Sequence, residues 1–255
     1  MGPSCDTKKH QWILQRIYRE GYPFTASELQ AMQVEGLLRH VVQDVYAEAG
    51  LPEQPEIRAA AAYALLSRRL RTTATLCGET AAWVHTGCFA PDRVQVRDSA
   101  TSAAQRSVFT GAWRLHHMRL QADDSQPVGP VRVTTALRTA ADLFCGFGVA
   151  RFPRALDRIP ARGRAEALLQ HWPAAQEPLA GRDEDLLSLG EPDIETVRQR
   201  WERIAALMHH TGAGPDELAD TVLGILSRTN WDARRHQRIG ELLAQCTSRR
   251  LPTVR

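Results

Sequence analysis

Residues 127 to 146, PVGPVRVTTALRTAADLFCG, gather Arg132, Thr134, Thr135, Arg138 and Asp142 around what reads as a strand turning into a helix. Hydroxyls of this kind cap helix starts, and guanidinium forks grip phosphates and carboxylates. A lone aspartate without a second acid or a histidine at fixed spacing makes no general acid–base pair, so the chemistry on offer is binding rather than turnover. Val131 and Val133 alternate with Arg132 as in a strand. Leu137, Ala140, Ala141 and Phe144 then mark a buried helical stripe, with Arg138 and Asp142 four apart on the opposite face. Base before acid is the weaker order for a helical ion pair, so at least one of the two is expected to bond elsewhere. Thr134, Thr135 and Asp142 read as a packed corner that fixes the domain's shape, with Arg132 and Arg138 as candidates for contact with a partner or with nucleic acid.

Other constellations fall short of catalysis. CGETAAWVH (77 to 85) sets a glycine turn before a helix, where backbone amides could receive an anion. Asp92 is followed two residues later by Val94, so the paired carboxylates that a nucleotidyltransferase needs for magnesium are missing. The adjacent pairs His116–His117 and His209–His210 diverge on either a strand or a helix and make no bidentate metal site alone. Neither a Gly-flanked nucleophile serine nor a phosphate-cradling glycine loop occurs. The sequence therefore predicts no enzyme, no cofactor and no metal.

The elements that must position these residues follow from periodicity. KKHQWILQRIYR (8 to 19) has helical spacing that Gly21 and Pro23 stop; Thr25 or Ser27 caps a second short helix with Glu28 in its first turn and Leu29 and Met32 facing inward. GLLRHVVQDVYA (36 to 47) alternates and reads as a β-ribbon carrying Arg39 and His40. After LPEQPE, residues 56 to 70 form an alanine-rich helix, TATLCGETAAWVHTG runs strand, turn and helix, and DRVQVRD and WRLHHMRL are strands. FPRALDRI, DIETVRQRWERIAALMHHTG, GPDELADTVLGILSRT and RRHQRIGELLAQC have helical spacing. The expected architecture is α+β in three parts: an abbreviated winged-helix-like module (1–50), an α/β domain (51–157) and a mostly helical region with an insertion (158–255).

Composition bounds the rest. With 43% hydrophobic and 24% charged residues and no apolar run near the roughly 20 residues of a membrane span, the chain reads as a soluble, cytoplasmic protein without a secretion signal. Five scattered cysteines argue against a disulfide framework and a zinc ribbon. Lys8 and Lys9 are the only lysines, so arginine richness is partly a coding bias. Charge is nonetheless segregated: residues 111 to 165 carry nine basic against four acidic side chains, and residues 166 to 200 carry three against eight. Six arginines against one acid in residues 234 to 255 form a solvated helix face and tail, or lie on a phosphate backbone.

Four stretches carry a resemblance: PFTASELQAM with GLLRHVVQDVYAEAG, LCGETAAWVHTG, WRLHHMRLQADD, and PVRVTTALRTAADL with Thr134, Thr135, Arg138, Thr139, Asp142 and Leu143 in place. Their order resembles the AbiEi-type antitoxin family of type IV toxin–antitoxin systems in its actinobacterial form, over roughly residues 10 to 155. The resemblance implies an N-terminal winged helix that binds double-stranded DNA and represses its own operon. It also implies a following domain that counteracts a cognate nucleotidyltransferase toxin. The QAMQVEG segment stands where a full recognition helix would sit, so the candidate DNA contacts are Arg39 and His40 on the ribbon and Arg114, Arg119, Arg132, Arg138, Arg151 and Arg154 in the basic block. The alternative is a protein-interaction module or orphan regulator that acts only through a partner protein.

Overall fold

In the computed structural model, which describes residues 5–21, 23–99, 112–116, 118–147, 191–229 and 233–246, the protein is α+β and divides into two units, Met1–Thr135 and Ala136–Arg255. That division falls between a strand and a helix inside the 127–146 stretch, a corner the sequence kept within one domain.

The N-terminal unit begins with α1 (Cys5–Leu14), β1 (Ile17–Arg19), α2 (Ala26–Val34), β2 (Leu38–Val42) and β3 (Val45–Glu48). The strands form an antiparallel sheet in the order β1-β3-β2. The first expected helix is therefore shorter than its apolar spacing suggests. Ile17 and Tyr18 leave it to pair with Ala47 and Tyr46, because sheet hydrogen bonds satisfy the backbone that a longer helix would have used. The second helix starts as expected, with Thr25 and Glu28 making a reciprocal capping box.

Next come α3 (Pro55–Ala64), α4 (Leu70–Thr73), β4 (Ala74–Leu76), α5 (Gly78–Thr86), β5 (Val94–Asp98), β6 (Trp113–Leu115), β7 (Ser125–Val128) and β8 (Val131–Thr134). The alanine-rich helix ends at Ala64, earlier than the sequence pattern predicts, and a separate short turn of helix leads into β4. The strands order as β6-β5-β4-β8-β7, with β4 parallel to β8 and antiparallel to β5. The tight β7–β8 turn depends on Gly129: its φ is +57°, and a Cβ there would stand 3.1 Å from the Glu56 carbonyl oxygen.

Apolar side chains explain why this unit is continuous. Ala74, Leu76, Val94, Val96, Val131 and Val133 line one face of the five-stranded sheet and share a core with Ala59, Ala62 and Leu65 of α3 and with Val42 and Val45 of the small sheet. The ribbon is thus packed against the larger sheet's core. The Gln43 side chain at its turn also donates to the Ala112 carbonyl at 3.1 Å.

The C-terminal unit contains α6 (Ala136–Phe144), α7 (Glu191–Thr211), α8 (Pro215–Leu226) and α9 (Ala233–Cys246). Helices α7 and α8 both pack on α6. Phe144 meets Trp201 edge to face at 5.9 Å, and Ile204, Leu207, Leu218, Val222 and Ile225 complete a closed apolar interior. Arg200 donates through Nε to the Leu143 carbonyl at 2.6 Å and through Nη2 to the Phe144 carbonyl, which places a cation on the end of α6 where the helix dipole is negative. FPRALDRI lies outside the described residues. Among those described, no helix is long and apolar enough to cross a membrane.

Candidate anion-binding face

Register across the five-stranded sheet builds the site. Thr75 on β4 stands opposite Arg97 on β5 and opposite Arg132 on β8. The three form one row on the face turned away from the valine core, because side chains alternate along each strand. Arg97 and Arg132 are two strand spacings apart, about 10 Å between Cα atoms. Arg71, four residues before Thr75, reaches the same place from α4. These residues line a depression of about 710 Å³, walled by His10 of α1 on one side and by Leu120 and Gln121 on the other.

Electrostatics distinguish this row from three other arginines of the unit. Arg16 meets Glu48 at 3.2 Å, Arg19 meets Asp44 at 2.7 Å and Arg69 meets Asp98 at 3.6 Å. By contrast, among the described residues Arg132 bonds only to the Ser125 hydroxyl and carbonyl, and both groups are neutral. Arg71 donates to the carbonyls of Leu66 and Ala64 at the end of α3 and lies over the Tyr63 ring. The Arg97 guanidinium has no hydrogen bond or ion pair among the described residues. Asp98, its chain neighbour, pairs with Ala74 on the opposite face. Among the described residues no carboxylate lines the depression. Three cations therefore converge with no counter-charge among the described residues, an arrangement suited to receiving an anion.

The remaining candidates separate. Arg114 pairs with Gln95 and so shares the sheet face with Arg97 without lining the depression. Arg119 is exposed beside the Leu120 wall. His40 is exposed, with Nε2 on the Gln43 carbonyl and its ring edge-on to Tyr46. Arg39 points to the other side of β2, beside Ala47, with its Nη2 atom buried and unbonded among the described residues. Its charge adds to the burial that pushes the Arg58 guanidinium down from the ordinary arginine range, against the pull of Glu53. Arg151 and Arg154 lie outside the described residues.

Arg138 requires a correction. It is only 3% exposed, and its Nε sits 3.0 Å from Asp142 Oδ1 in α6, with Asp142 wholly buried. The face opposite the apolar stripe is therefore covered as well, and the pair does form despite its unfavourable order. Burial leaves Arg138 no surface to offer a duplex. The glycine turn of CGETAAWVH is also corrected as an anion receptor. Gly78, Glu79 and Thr80 are all buried, the Thr80 hydroxyl accepts from Gln95 N at 2.8 Å, and Gln95 Nε2 donates to Glu79 Oε2 at 2.7 Å. That helix start is filled by the protein's own groups. Thr134 is fully buried, and its carbonyl accepts from His85 Nε2 at 2.7 Å.

Arg71 and Arg97 were not among the sequence candidates. The alternation of Val94, Gln95, Val96 and Arg97 already placed Arg97 on the non-core face, but the sheet order that brings it within two strands of Arg132 is a long-range fact. Among the described residues no group of three or more histidine, cysteine or acidic side chains could hold a metal ion. No family model, curated protein or solved structure matches the chain.

Proposed function

We propose that this protein is a non-enzymatic, antitoxin-like regulator that binds duplex DNA through the phosphate backbone, with its contact surface on the arginine face of the five-stranded sheet rather than on the small ribbon. The observation that carries the reading is the convergence of Arg71, Arg97 and Arg132 around a depression with no carboxylate among its described lining residues. Guanidinium–phosphate contacts supply affinity and register without reading sequence. The helix–strand–helix–ribbon order of residues 5 to 48 supports an abbreviated winged helix as the origin of the N-terminal module. Its α2, however, holds Glu28 and no basic residue, so it provides no phosphate grip of its own. Counteraction of a nucleotidyltransferase toxin belongs to the same reading and rests on the resemblance of the PVRVTTALRTAADL stretch.

A second reading has its own observation. Val34 and Leu37, at the end of α2, are 89% and 56% exposed, an apolar pair that suits a protein partner better than a duplex. A salt series separates the two readings. The full chain is titrated with its own upstream DNA carrying 5′-hydroxyl ends, beside Arg71→Ala and Arg132→Ala. Under the DNA reading, affinity falls steeply with salt and each substitution lowers the slope of log K against log salt by about one. No binding at low salt would leave the protein partner as the function.

A further inference from the structure

We propose that the row Arg97–Thr75–Arg132 is a pocket for a single phosphomonoester dianion. The inference uses the same depression as the DNA reading but does not depend on duplex binding.

Depth is the first argument. Thr75 is buried and Arg97 half-buried at the floor, whereas Arg71 and Arg132 are exposed at its edges. A duplex is stiff and convex, so its phosphates meet the edge arginines, while the floor admits only a group that can enter. The depression's volume of about 710 Å³ lies within the roughly 300–1,000 Å³ typical of small-ligand sites.

Charge is the second. A phosphodiester in a nucleic-acid backbone carries one negative charge, and a phosphomonoester carries about 1.5 to 2 at neutral pH. Three guanidinium groups, two held by neutral partners and Arg97 without a bond among the described residues, favour the more highly charged group. Register sets Arg97 and Arg132 on opposite sides of Thr75, so their guanidinium N–H groups flank the place where one phosphate would sit. Among the described lining residues no phenylalanine, tyrosine or tryptophan stands ready to stack a base. The phosphate is therefore read, and the body attached to it is accommodated among Leu120, Pro127 and Pro130.

Such a group could come from a small phosphorylated metabolite or from the 5′ end of a nucleic-acid strand. Calorimetric titration of the full chain with ribose 5-phosphate beside ribose, and with a 5′-phosphorylated trinucleotide beside its 5′-hydroxyl form, distinguishes the sources. The phosphorylated member of at least one pair is expected to bind about tenfold or more tightly than its partner, and Arg97→Ala or Arg132→Ala to lose about tenfold or more of that binding. Arg119→Ala, outside the lining, should leave binding unchanged. Discrimination by the sugar pair alone assigns a small ligand, and by the trinucleotide pair alone a strand end. Equal binding within both pairs overturns the proposal, as does discrimination that survives in an Arg97→Ala/Arg132→Ala variant of unaltered melting temperature. Because the DNA titration uses 5′-hydroxyl ends, either reading can fail while the other stands.

Discussion

Arg132 and Arg138 stand six residues apart in one short stretch, and the two units of the protein treat them in opposite ways. On the sheet of the N-terminal unit, Arg132 is exposed, bonded to a serine, and grouped with two further cations that meet no carboxylate among the described residues. On α6 of the C-terminal unit, Arg138 is buried against Asp142, inside a helical core in which Arg200 caps the helix end. In a chain whose positive charge is nearly all arginine, residue type says little. Counter-charge and burial decide whether a guanidinium holds the fold together or remains available for a ligand.

The sharpest way to break that comparison is to remove the acid. Asp142→Ala leaves Arg138 buried and uncompensated, and loss of one partner of a buried pair costs about 3–5 kcal/mol. Denaturant unfolding should show a loss of that size, whereas replacing both partners, as in Arg138→Met/Asp142→Leu, should cost less than Asp142→Ala alone. A cost below about 1 kcal/mol for Asp142→Ala would mean that Arg138 finds solvent easily, and the contrast with Arg132 would collapse. Arg58 extends the test to the N-terminal unit. It donates from Nε and Nη2 to the Val84 carbonyl at the end of α5, beneath the left-handed Gly87. Arg58→Ala should cost about 1–3 kcal/mol by leaving those carbonyls unsatisfied. Lysine should restore little of it, because an ammonium cannot reproduce the fork.

How much of this was legible depended on range along the chain. The β-ribbon, the strand and helix of α5, and the β8-to-α6 corner are local patterns, and period-2 and period-3.6 spacing revealed them. The capping box at Thr25 was equally local. The end of the first helix was not: nothing between Leu14 and Arg19 announces that Ile17 will pair with Ala47, thirty residues later. Arg138 was assigned an open face because its covering is remote, with α7 and α8 beginning at residues 191 and 215. The arginine row was half legible. Arg132 lay in the basic block, while Arg97 and Arg71 joined it only through a sheet order that sets β4 between β5 and β8.

A smaller effect sharpens the same contrast at an exposed site with a full set of partners. Thr25→Ala should destabilise the N-terminal unit by about 1 kcal/mol, because the Glu28 N–H loses its hydroxyl acceptor while the backbone N–H of residue 25 still reaches the Glu28 carboxylate. The Thr25 backbone N–H, and then its hydroxyl, hold the Glu28 carboxyl below the usual carboxylate range. A folded-state pKa that is depressed contributes stability above the unfolded value and loses it as pH falls through the folded one. The difference between wild type and Glu28→Gln should therefore be full near neutral pH and shrink in acid, measured as melting temperature against pH.

The smallest expected change in stability is the most informative about function. Arg97→Ala and Arg132→Ala remove side chains that face no carboxylate, and substitutions of that kind typically shift unfolding by no more than about 0.5 kcal/mol. If the row exists to meet an anion, the same substitutions should weaken binding of DNA or of a phosphomonoester by far more than they weaken the fold. The decisive quantity is that ratio, measured on the same protein preparations. An arginine at this face whose truncation costs as much in unfolding as Asp142→Ala would be part of the scaffold. One that costs nothing in stability and nothing in binding would be an ordinary solvated side chain in an arginine-rich chain. A truncation that costs binding while leaving stability intact is what separates a site from a surface.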